Sequence, residues 1–155
     1  MAKTSKTSKT SKTSKNVKKN VTRKNTHVKS SFERKMNSLL KKIIQLQRQV
    51  KFFHWNTKNY AAHKITDEFH ATLSGLVDQL VEVSISHKMK LANINKYYKK
   101  VKEFKTKDDV MKYVDTISKD IAMLHKKNDI PHDVKAILDT VVGELNRFKY
   151  LFVMK

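Results

Sequence analysis

The 155-residue chain lacks cysteine and holds only two glycines, Gly75 and Gly143, and one proline, Pro131. The absence of cysteine excludes a disulfide framework, a thiolate nucleophile and a cysteine-ligated zinc or iron–sulfur site. Two isolated glycines cannot build a phosphate-binding loop or a dinucleotide fingerprint. No apolar run is long enough to span a membrane or to form a secretory signal, so the composition indicates a protein of the cell interior.

Acidic residues are also scarce, and the balance of charge is strongly basic. Lysine and arginine number 34 against 14 aspartates and glutamates, giving a formal net charge of +20. Such a charge favours polyanionic partners. Since turn-forming residues are few and the length suits one domain, the sequence predicts a mostly helical fold.

Half of the excess charge lies in residues 1–30, which contain no acid and open with a Lys-Thr-Ser repeat. The segment has too few apolar residues to order itself, so we expect a disordered polycationic tail that binds DNA phosphates without sequence specificity. A merely solubilising tail and a membrane-surface segment are the alternatives. The predicted DNA-binding residues are Lys3, Lys6, Lys9, Lys12, Lys15, Lys18, Lys19, Arg23, Lys24 and Lys29.

Residues 31–155 carry four stretches with apolar residues at helical spacing. The predicted helices cover Ser31–Trp55, Tyr60–Met89, Asp108–Lys127 and a segment that starts near Pro131. The links between helices 1 and 2 and between helices 3 and 4 are short, whereas residues 90–107 form a long connection. This pattern predicts an all-α, ferritin-like four-helix bundle with a long crossover between helices 2 and 3.

Helix 2 has a second, polar stripe on the face turned away from its apolar residues. At about 100° per residue, His63, Asp67, Asp78 and Glu82 fall within one sector of the helix. His63 and Asp67 can share an ion, as can Asp78 and Glu82, but roughly 16 Å of helix separates the two pairs. A two-fold axis near Leu73 would bring the His63/Asp67 pair of one chain to the Asp78/Glu82 pair of the other. The alternative is a face that makes surface salt bridges only.

Imidazole and carboxylate ligands without thiolate suit iron, and manganese or zinc could also occupy such a site. The stripe therefore predicts a homo-oligomer, at least a dimer, with two equivalent metal sites divided between subunits. A manganese or zinc ion that only holds the dimer together is a further alternative.

The motif His54-Trp55-Asn56, followed by His63-x3-Asp67 and Asp78-x3-Glu82, resembles the Dps family of ferritin-like DNA-binding proteins. The resemblance spans about 45 residues. Its nine-residue step from His54 to His63 is similar to that of a short-loop Dps-like branch in large DNA viruses and phages.

The resemblance implies a ferroxidase. Residues His54, His63 and Asp67 of one subunit and Asp78 and Glu82 of another would hold Fe(II) while peroxide or O2 oxidises it. It also implies assembly up to a hollow dodecamer, non-specific DNA protection and a location with nucleic acid, in a nucleoid or a virion. The alternative is a DNA-packaging or virion-associated structural protein on the same scaffold, with a vestigial or structural metal site.

Overall fold

The computed structural model describes residues 1, 31–93, 95, 97 and 104–154. The predicted tail residues Lys3 to Lys29 lie outside this described part. The described elements are the four helices α1 (Ser31–Asn56), α2 (Tyr60–Ser86), α3 (Lys107–His125) and α4 (His132–Val153). The described residues contain no strand. The prediction of an all-α bundle with four helices is confirmed.

The helices form a closed ring in the order α1, α2, α4, α3, so that α1 packs against α2 and α3, and α4 packs against the same two. Along every neighbouring pair, residue numbers rise on one helix as they fall on the other. The polar contacts that show this are Lys51–Asp67 and Gln47–Ser74 (α1–α2), Lys35–Asp129 and Lys42–Asp120 (α1–α3), Glu68–Arg147 and His87–Asp133 (α2–α4), and Asp115–Lys149 and His125–Asp139 (α3–α4). Of these residues, Asp129 lies just after the end of α3 and His87 just after the end of α2.

Since all four neighbouring pairs are antiparallel, the diagonal helices α2 and α3 are parallel. The chain must therefore travel the length of the bundle between Ser86 and Lys107, which confirms the long crossover. The apolar stripes of all four helices meet inside the ring, where Phe69 and Phe148 stack with ring centroids 4.0 Å apart.

Asn37 on α1 fixes the first part of this crossover. Its side-chain nitrogen donates to the carbonyl oxygen of Lys90 (3.0 Å), and its side-chain oxygen accepts from the amide of Ala92 (2.7 Å) and from the hydroxyl of Tyr97. Asn37 and Tyr97 are buried. Burial raises the pKa of the Tyr97 hydroxyl above its ordinary value, so it remains a hydrogen-bond donor at neutral pH.

Helix α2 ends at Ser86, three residues before the predicted end at Met89. Lys88 adopts a left-handed conformation (φ 63°), its amide donates to Ile85, and the amide of Met89 donates to the carbonyl of Ser84. These two bonds form a Schellman motif, which usually places glycine where Lys88 stands. The lysine gave no sequence signal for a helix end. Within the described residues, no helix combines the length and apolar character needed to cross a membrane.

Candidate metal centre

The three-residue link between α1 and α2 brings two histidines together. His54 lies in the last turn of α1 and His63 in the first turn of α2. Asn59 starts α2 by accepting a hydrogen bond from the amide of Ala62 (2.9 Å), and Thr57 closes α1 by donating from its amide to Phe53 (2.9 Å). This capping lets the chain reverse without glycine.

The imidazoles of His54 and His63 stack, with ring centroids 3.8 Å apart and planes inclined by 25°. Each ring donates from Nδ1 to the backbone carbonyl of the other residue, at 2.9 Å from His54 and 3.2 Å from His63. Because a carbonyl only accepts, both Nδ1 atoms carry the proton. In the neutral form of each ring, this tautomer leaves the lone pair on Nε2, a nitrogen that binds metal ions in many proteins.

Thr66 lies beside this histidine pair. Its buried hydroxyl bonds to the carbonyl oxygens of Ala62 (2.7 Å) and His63 (3.0 Å) and lies 3.4 Å from His54 Nδ1. A hydroxyl that donates to a carbonyl can still accept, so Thr66 Oγ1 can accept a hydrogen bond from the Nδ1–H tautomer of His54. Sequence reasoning missed Thr66, although it stands one helical turn after His63.

Asp67 completes the cluster. Its Oδ1 lies 3.8 Å from His54 Nε2 and 2.9 Å from the Nζ of Lys51, which comes one turn before His54 on α1. The hydrogen bond and the charge of Lys51 hold the pKa of Asp67 below its ordinary value, so its carboxylate is ionised at neutral pH. Burial, followed by the charge of Lys51, lowers the pKa of nearby His70 and favours its neutral form. Sequence reasoning did not find Lys51.

Asp78 and Glu82 are exposed on the same helix, as predicted, but they stand apart from the histidines. Eleven residues separate Asp67 from Asp78, which is about 16 Å along a helix. Within the described part of this single chain, no three His, Asp or Glu side chains converge so that they could hold a metal ion. The structure therefore stacks His54 on His63 and places Asp67 near His54 without forming a three-ligand metal site, whereas the two acidic residues lie in a separate pair.

Exposed apolar and small side chains lie at the end of α1 and along α2. Trp55 is 63 % exposed and packs edge-on against Phe52, with centroids 5.5 Å apart. Ala71 and Gly75 are exposed at the middle of α2, and a Cβ atom added to Gly75 would meet nothing within 4 Å. The packing of this chain therefore gives no reason for a glycine that lowers helix stability.

The fold and this site define a class, a four-helix-bundle protein whose α1–α2 turn presents two imidazoles and a carboxylate. The chain belongs to the family of unknown function DUF5856, whose model matches residues 54–152. The match begins at His54 and includes all five candidate ligands. No curated protein and no solved structure matches the chain.

Proposed function

We propose that this chain is a Dps-like protein that oxidises Fe(II) at a site shared between two subunits and binds DNA through its basic tail. The observation that carries this proposal is the contact of His54, His63 and Asp67 at one end of the exposed acidic face of α2. The three side chains offer one carboxylate and two Nε2 lone pairs, a ligand set that suits ferrous iron.

The missing ligands come from a second copy. With two α2 helices antiparallel about an axis near Leu73, Asp78 and Glu82 of the partner subunit reach the His63 end of the first chain. Gly75 and Ala71 lie near this axis, and small residues there let two helices approach closely. The carboxylates of both chains then face one another, and bound cations offset their repulsion.

In this site iron is the substrate. Two ferrous ions each release one electron, and one hydrogen peroxide takes up both electrons and two protons to become two waters. His54, His63 and Asp67 orient one side of the iron-binding space, while the acidic pair of the partner subunit closes the other. Pairing the two electrons prevents the release of hydroxyl radical beside bound DNA.

The tail supplies the second activity. Residues 1–30 carry ten basic side chains and no acid, which supports counterion-releasing contact with DNA phosphates. We place the protein with nucleic acid, in a nucleoid or a virion, where it condenses DNA and protects it from oxidation. Weaker DNA binding with a flatter salt dependence on removal of residues 1–30 would support this assignment.

A second function has its own supporting observation. The ammonium of Lys51 already neutralises Asp67 at 2.9 Å, as it would in a scaffold that no longer needs metal. In that case the protein packages DNA as a structural component, and the histidine pair only closes the α1–α2 turn.

Peroxide-dependent iron oxidation separates the two functions. The protein is loaded with Fe(II) without oxygen, pulsed with peroxide and followed by ferric absorbance. We expect fast oxidation in the wild type, loss of the fast phase in Asp78→Asn/Glu82→Gln, and retention in Asp139→Asn/Glu144→Gln, which removes the same charges from α4. Equal, slow rates in all three proteins would leave DNA packaging as the function.

A further inference from the structure

The charges of the bundle are divided between its two sides. Helices α1 and α3, which are neighbours, hold nine lysines and arginines against five aspartates and glutamates, whereas α2 and α4 hold four against seven. The basic excess lies on α1, which holds six basic residues against one acidic residue, whereas α3 holds three against four. The acidic excess lies on α2, with one against four, while α4 is balanced at three against three. In sum the α1–α3 side of the ring is basic and the α2–α4 side is acidic. A polyanion is attracted to the first and repelled by the second.

The basic side contains an open groove of about 250 Å³, which we call the α1–α3 groove. Leu39 and Leu124 form its buried floor, and Met123 stands at its edge with 58 % of its surface exposed. Its remaining lining residues are polar. They are Lys35, Ser38, Lys42, Asp120 and Lys127.

Three lysines thus share the groove with one carboxylate. Lys42 pairs with Asp120, and Lys35 lies 3.9 Å from Asp129, a loose contact between partly exposed groups that contributes little. Lys127 is exposed, and its neighbour Lys126 is exposed beside it. With Asp129 counted, the three groove lysines face two carboxylates, and Lys126 beside Lys127 raises the local excess to two positive charges.

We propose that the α1–α3 groove is a second DNA contact, which holds the phosphate backbone of the duplex against the folded bundle. Lys35 and Lys42 are seven residues apart, about 10 Å along α1. A DNA strand carries one phosphate per about 3.4 Å of axis, so this length matches roughly three phosphates. The inference rests on the proposed function, because it assigns a further surface to the same DNA partner.

This contact turns the acidic α2–α4 side away from the DNA. Ferrous ions then collect at the side of the bundle that the duplex does not cover. Binding through this groove is independent of base sequence, as backbone contacts are.

The test uses the full chain and compares the slope of log K for duplex DNA against log salt concentration. We expect Lys126→Gln/Lys127→Gln to flatten the slope by about 0.9 for each lost phosphate contact, and Lys35→Gln/Lys42→Gln/Lys127→Gln to flatten it further. The matched control is Lys64→Gln/Lys135→Gln, which removes two charges from the α2–α4 side and should leave the slope unchanged. Circular dichroism checks that each variant is folded.

Each result has a definite meaning. If both groove variants have the same slope as the Lys64→Gln/Lys135→Gln control, the groove contact is overturned, while DNA binding through the tail stands. A larger loss of binding to anionic lipid vesicles than to DNA also overturns it and assigns the groove to a membrane surface. Salt-independent or absent DNA binding by the wild type overturns the DNA-binding half of the proposed function itself, whatever the iron assay gives.

Discussion

Two inactive variants should restore iron oxidation when they assemble together. One variant, His63→Asn/Asp67→Asn, lacks the ligands at the start of α2, and the other, Asp78→Asn/Glu82→Gln, lacks those that the partner subunit supplies. Because about 16 Å of helix separates the two pairs, one chain cannot join them around one ion. In a mixed dimer, however, one site combines the intact halves of both chains and the other site combines both defects.

The size of the recovery follows from two-fold symmetry. With random pairing, the histidine side of a site is intact in about one case in two, and so is its acidic side. About a quarter of all sites are therefore complete, and the co-refolded protein should show about a quarter of the wild-type activity. This fraction is the same in a dimer and in a larger shell built from such dimers. The assay is ferric absorbance after a peroxide pulse, with the variants co-refolded at equal concentration.

The control for this experiment is each variant refolded alone, which should stay inactive. Co-refolded protein with no more activity than the separate variants would refute the divided site. Full activity of either variant alone would show that its substituted residues are not ligands. Size-exclusion chromatography establishes that the mixed protein assembles, so a lack of recovery cannot be confused with a lack of pairing.

Three further predictions concern single side chains. Gly75→Ala and Gly143→Ala should each raise the free energy of unfolding of the isolated chain by about 0.5–1 kcal/mol, because neither added methyl meets a neighbour. Only Gly75→Ala should weaken subunit association in analytical ultracentrifugation. Equal association of the two variants would place the interface elsewhere. Lys51→Met should tighten Co(II) binding several-fold at most, because the variant loses only a partly exposed ion pair between Lys51 and Asp67. Unchanged Co(II) affinity in calorimetric titration would mean that Lys51 does not compete with the metal. Asp109→Asn should destabilise the protein to urea at pH 7, and the difference should shrink as the pH falls below 3.8. Hydrogen bonds from Thr106 lower the pKa of Asp109 below 3.8, so its stabilisation is present above that pH and is lost as the pH falls through the lowered pKa; a pH-independent difference would contradict this linkage.

The sequence predicted the helices because their signals are local. Apolar residues at three- and four-residue spacing fixed the inward faces, Asp108 and Asp109 marked the start of α3, and Pro131 preceded α4. The end of α2 was placed three residues too late, since its Schellman motif uses Lys88 and not glycine. The crossover was predicted from its length alone, and the antiparallel contacts around the ring confirm it.

Some residues of the candidate site were predictable from local spacing, and others were not. Spacing on α2 selected His63, Asp67, Asp78 and Glu82 from one helix, because one period relates all four. The reciprocal bonds between His54 and His63, by contrast, depend on how a three-residue turn folds back, and no period describes that.

By itself, then, the sequence determined four amphipathic helices, a long crossover and an acidic stripe on α2, since each depends on residues within a few turns of one another. Only the tertiary structure decided that Lys51 pairs with Asp67, that Asn37 holds the crossover, and that the basic helix α1 lies beside α3. Those contacts join residues from different helices. Their geometry depends on the order and direction in which the helices pack, which no local repeat encodes.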